Sequence, residues 1–161
     1  MTLRPSHEPS SRLFSHDPIW VQIREEAEEA AWKEPELASF IIANILNHDR
    51  LEDSIAHRVA QRIGHDDVTA PLIRQTFATV LERDKELGQI FRADLAAVYD
   101  RDPACNRLIE PLLYFKGFHA LQNHRFAHSL WRQGKRDFAL YLQSQSSRVF
   151  GIDIHPAARI G

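Results

Sequence analysis

"FGIDIHPAARIG", residues 150–161, follows a chain that is otherwise helical in pattern, and its reading decides how the whole is divided. Ile154 and Ile160 stand six positions apart, with Ala158 between them and Gly161 after the second. Gly151 and Pro156 oppose a helix, and Ile152 and Ile154 alternate with polar residues as in a strand. An aliphatic residue every six positions is the pattern of a left-handed parallel β-helix, whose prism the aliphatics fill and whose corners take small residues. Repeat folds bury a core only when several units stack, and one hexad is too short to do so. The stretch therefore reads as the start of a truncated β-helix, with a plain strand-like tail as the alternative.

Working backward, almost everything from residue 17 to 149 has helical period. Asp17-Pro18 reads as an N-cap with proline at the first helical position, followed by a stripe of Ile19, Ile23, Ala27 and Ala30. Pro35 separates this from a helix carrying Leu37, Phe40, Ile41 and Ile45. Leu51, Ile55, Val59 and Ile63 form a third, closed by Gly64 as a left-handed C-terminal residue. A fourth starts at Thr69 with Pro71 just inside it, and a fifth carries Leu87, Phe91, Leu95 and Val98. The apolar stretch "LIEPLLYFKGFHALQNHRFAHSLWRQGK" (108–135) divides at Lys116-Gly117 into a short helix and a longer one ended by Gly134. A last helix, 137–150, places Phe138, Tyr141, Leu142 and Val149 on one side, with strand character beginning at Val149. The expected fold is all-α: a lead-in over 1–16 without order, a helical domain over 17–150, and the hexad over 151–161.

At 161 residues the chain suffices for one domain. A net charge of −2, with no Lys/Arg run, gives no footprint for nucleic acid or a membrane surface. The single cysteine, Cys105, allows no internal disulfide, and no apolar run reaches membrane-spanning length. The first residues contain no apolar core of a signal peptide, so a cytoplasmic location is expected.

Side chains capable of chemistry are few. His124 and His128 are spaced i, i+4 and can share a metal, but no cysteine and few acids lie nearby; surface or partly buried histidines are the expectation, and no metal site is assigned. Cys105 has no paired base and reads as a loop thiol. Asp102 before Pro103 reads first as an N-cap, yet it also closes a helix beside Asp100, where the dipole disfavours acids. Asp153 sits between two isoleucines, and an outward-facing acid in the alternation accounts for it.

"RDPA" (101–104), "PLLYFKGFHALQNHRFAHSLW" (111–131) and "DIHPAARIG" (153–161), in this order and spacing, resemble the bacterial serine O-acetyltransferases. "EPELASF" (34–40) fits their helical domain, while His124 departs from an aromatic expected there. The resemblance implies acetyl transfer from acetyl-CoA to L-serine in cysteine biosynthesis, by a helical domain joined to a trimerising β-helix, with trimers pairing into a homohexamer. It implies that Asp153 orients a general-base histidine and that Asp102 anchors the substrate serine. That histidine, the CoA groove and the tail that binds O-acetylserine sulfhydrylase would lie past residue 161. No tightly bound cofactor is implied, acetyl-CoA being a co-substrate. His155, within the "HPAA" turn, is not read as the base. The chain alone is thus expected to be inactive and to self-associate through its helices; the alternative is a non-catalytic helical oligomerisation or partner-binding module.

Overall fold

A computed structural model describes residues 17–161; the lead-in expected over 1–16 lies outside the described residues. Its helices are α1 (Pro18–Lys33), α2 (Ala38–Ile41), α3 (Leu51–Ile63), α4 (Ala70–Arg83), α5 (Leu87–Arg101), α6 (Ile109–Tyr114), α7 (Lys116–Arg132) and α8 (Arg136–Phe150). The start at Asp17 is as read: its Oδ1 accepts from Trp20 N at 3.3 Å, with Pro18 at the first position. The Asp17 carboxylate also meets Arg92 of α5, which pairs with Glu52 of α3 at 2.7 Å. Three separate elements are tied by one guanidinium.

The segment after Pro35 is less regular than its apolar spacing predicts. A 3₁₀ turn (Pro35–Leu37) leads into α2, which loosens into a π turn over Ile42–Leu46. Such turns redirect a chain within helical conformation, and this one lets His48 Nε2 donate to the Ala43 carbonyl at 2.9 Å.

Gly64 corrects the expected cap. Its φ is −59°, an ordinary value, so no left-handed conformation explains it. The reason is space: a Cβ there would lie 2.8 Å from the Ala70 backbone nitrogen, where α4 begins. Positive φ values occur at Gly134, +82°, after α7 and at Gly151, +69°, as the chain leaves α8. Val149 is within α8 rather than opening a strand; the residues that helix buries are Ala139, Leu142, Gln145, Ser146 and Phe150, with Phe138 and Val149 half-buried against the core.

The core is organised around α7, which touches α3, α4, α5, α6 and α8. Phe126 lies at its centre, stacked on Phe77 at 3.9 Å between centroids and tilted against Phe91 at 5.4 Å. A helix buried on most of its faces must pair its polar groups internally. Here Gln122 donates to Asp94, Asn123 to the Leu142 carbonyl, and Ser129 to Asp84.

The break before α7 falls at Phe115, extended at ψ 109°, one residue earlier than Lys116-Gly117. The freed carbonyls of α6 are taken up by side chains. Arg58 forks onto Leu113 O at 3.1 and 2.8 Å, and His119 Nε2 donates to Leu112 O at 2.7 Å. A carbonyl only accepts, so Nε2 carries the proton and Nδ1 accepts from Arg62 at 2.8 Å.

Burial, with Arg58 and Arg62 alongside, pushes His119 down to about 3. Below the ordinary value near 6.5 the unfolded chain takes up a proton that the native state refuses. The contribution of His119 is therefore complete above pH 6.5 and is lost as pH falls toward 3. Between pH 7 and pH 5 this group alone should lower stability by about 2 kcal/mol. Urea unfolding at the two pH values, compared with His119→Gln, checks this: the variant should show a shallower loss, and an equal loss would contradict it.

Candidate functional site

Asp102 closes α5. It does not cap a following helix, because Pro103 enters a loop and α6 begins only at Ile109. Its Oδ1 instead accepts from Ala104 N at 2.9 Å while its carbonyl accepts from Cys105 N at 3.0 Å, a side-chain-supported turn. The N-cap reading of Asp102-Pro103 is thus corrected. The loop is braced from two sides: Glu110 Oε2 accepts from Asn106 N and Arg107 N, and Glu26 of α1 accepts from Ile109 N at 3.0 Å. The carboxylate is half-buried at a helix end whose dipole opposes it, on a loop held in one shape.

Cys105 is buried in that loop, its Sγ donating to the Arg107 carbonyl at 3.4 Å. Burial and the nearby Glu110 raise its thiol above the usual value. A thiol held protonated is a poor nucleophile, which agrees with a plain loop residue.

Asp153 lies just past α8 and is exposed, with Gln143 Nε2 donating to its Oδ1 at 2.5 Å. Ser146 Oγ donates to the Ile152 carbonyl at 2.7 Å, holding this segment to α8. No hydrogen bond joins Asp153 to Asp102 or to a histidine among the described residues. His155, two positions on, turns away: its Nδ1 accepts from Ala157 N at 3.1 Å and its ring sits edge-on against Trp131. The tail 151–161 is irregular, with a turn closed by Ala158 N on the His155 carbonyl.

His124 is buried, contrary to the surface or partly buried setting expected; His128 is half-buried, as expected. His124 Nε2 donates to Ala158 O at 3.0 Å and His128 Nδ1 to Pro156 O at 2.7 Å. No metal-binding cluster of three His, Cys, Asp or Glu occurs among the described residues. Burial, with His128 and Arg125 alongside, pushes His124 below the ordinary histidine value. Between the two histidines, Arg125 reaches the Ile160 carbonyl and forks onto Asp94 of α5 at 3.0 and 2.8 Å. Nothing in the sequence singles out Asp94 or Arg125; a lone Asp and a lone Arg on different helices leave no spacing signal.

A family profile described as "Serine acetyltransferase, N-terminal" matches residues 19–123. The chain belongs to the serine acetyltransferase family. Serine acetyltransferase 2 of Arabidopsis thaliana is 50% identical over 145 residues, covering 90% of this chain and 45% of that protein. The crystal structure of the Brucella abortus serine acetyltransferase in complex with coenzyme A is 55% identical with a TM-score of 0.88, over 92% of this chain and 59% of that one. The Neisseria gonorrhoeae serine acetyltransferase in complex with serine is 41% identical with a TM-score of 0.86, over 91% of this chain and 61% of that one. The chain spans about half the length of the curated relatives it matches. The helical architecture is therefore that of the amino-terminal part of serine acetyltransferases.

Proposed function

We propose that these residues are the helical part of a serine O-acetyltransferase and supply two acids to a site completed by residues beyond 161. The observation that carries the reading is that the chain holds a braced, half-buried Asp102 and an exposed Asp153 and spans about half the length of its relatives. The coenzyme A and serine complexes of the relatives support the substrate pair.

In the proposed reaction the serine hydroxyl oxygen attacks the thioester carbonyl of acetyl-CoA, forming the ester C–O bond and breaking C–S. A histidine takes the hydroxyl proton and returns it to the departing CoA thiolate, as general base and then acid. Asp153 would orient that histidine and balance its charge; Asp102 would meet the substrate ammonium. The product, O-acetylserine, suits cysteine synthesis, and a cytoplasmic setting and a sulfhydrylase partner follow only from the family reading. The exposed Trp32, Ile42 and Tyr114 support self-association through the helical domain.

Kinetics of Asp102→Asn in the full-length enzyme test the anchor. Loss of an ammonium contact should raise the KM for serine roughly tenfold while leaving that for acetyl-CoA unchanged. An unchanged serine KM would remove Asp102 from the substrate site.

A further inference from the structure

The tail is gripped by one face of α7 in a regular way. His128, His124 and Arg125 bind the carbonyls of Pro156, Ala158 and Ile160 respectively. These are alternate residues, brought to one side by the turn at Pro156-Ala157 that Ala158 N closes on the His155 carbonyl. Three donors on α7 thus fix both the position and the register of the hexad. A slip by one residue would break all three pairings.

Arg125 extends the grip to α5. Its guanidinium is buried with Asp94, which also accepts from Gln122 at 3.1 Å. A planar fork bound at both ends holds them at a fixed separation and angle. α5 carries Asp94 within it and Asp102 at its end. A continuous path therefore runs from Asp102 through α5, Asp94 and Arg125 to the Ile160 carbonyl, on the segment that bears Asp153.

We propose that Asp94, Arg125 and His128 are positioning residues that lock the first hexad to the helical domain and so set where Asp102 lies relative to the β-helix. This rests on the roles given to Asp102 and Asp153 in the acetyl transfer above. Small displacements of a substrate-holding group weaken its hold on the substrate even when the altered residue is remote.

The test uses the full-length enzyme with Arg125→Lys, His128→Leu and His128→Gln, measuring KM for each substrate and kcat. Lysine keeps a cation beside Asp94 but cannot fork to Ile160. Leucine removes the donor to Pro156 at a half-buried position that tolerates an apolar side chain, so a foldable variant remains if Arg125→Lys is unstable. The expected result is a rise of roughly tenfold in the serine KM for Arg125→Lys and His128→Leu, an unchanged acetyl-CoA KM, and recovery in His128→Gln. A fall in kcat with both KM values unchanged would show a structural role alone and overturn the proposal, as would wild-type kinetics in both variants or equal rises in both KM values. A wild-type enzyme without serine turnover would instead overturn the acetyl-transfer reading, and the positioning roles with it.

Discussion

Phe126→Ala should lower the unfolding free energy by about 4 kcal/mol, within the range for aromatic-to-alanine truncation in a core. Phe126 is fully buried in α7, with Phe77 of α4 lying flat on its ring and Phe91 of α5 tilted against it. Truncation removes the partner of both rings at once. The helices around the cavity are held by other contacts: α7 to α8 by Asn123 on Leu142 O, and α5 to α7 by Asp94 on Arg125. The cavity should therefore persist rather than collapse, which puts the cost toward the upper part of the range. Denaturant unfolding of wild type and variant measures it, and Phe126→Leu should lose less than half as much. A loss below about 1 kcal/mol would show that α7 is not the centre of the core.

Asp153→Asn in the full-length enzyme should lower kcat roughly ten-thousandfold, the scale seen when a carboxylate that orients a catalytic histidine is neutralised without change of shape. An amide cannot balance an imidazolium, and its NH₂ group can select the wrong tautomer. The fold should be unaffected, since Asp153 is exposed and its contact in this structure is with the side chain of Gln143. The KM for serine should change little, in contrast to Asp102→Asn, so the two acids separate by kinetic signature. A kcat within about tenfold of wild type would show that Asp153 orients nothing.

Helices were legible because their signals are local. Asp17-Pro18 caps where it should, and the four-residue spacing of Leu51 to Ile63 gives α3 its buried face. The π turn at Ile42–Leu46 was not legible, since its apolar spacing is also that of an ordinary helix. Gly64 was misread because a glycine after a helix signals a left-handed turn, whereas here crowding by Ala70 acts. At the candidate site, the sequence could name Asp102 and Asp153 through the family resemblance. It could not show that His124, Arg125 and His128 meet the carbonyls of the tail, because those pairs are separated by about thirty residues and join side chain to backbone. The i, i+4 histidine spacing suggested a shared ligand; the shared object is instead the irregular tail of the chain itself.

The most direct measurement is serine-dependent release of CoA thiol from acetyl-CoA, run side by side on the purified 161-residue chain and on the full-length enzyme. The expected result is turnover by the full-length enzyme only when L-serine is present, and none by residues 1–161, whose two acids hydrogen-bond to no histidine among the described residues. Serine-dependent turnover by the 161-residue chain, with its mass confirmed at 18.6 kDa, would contradict this account and make His155 the first residue to replace.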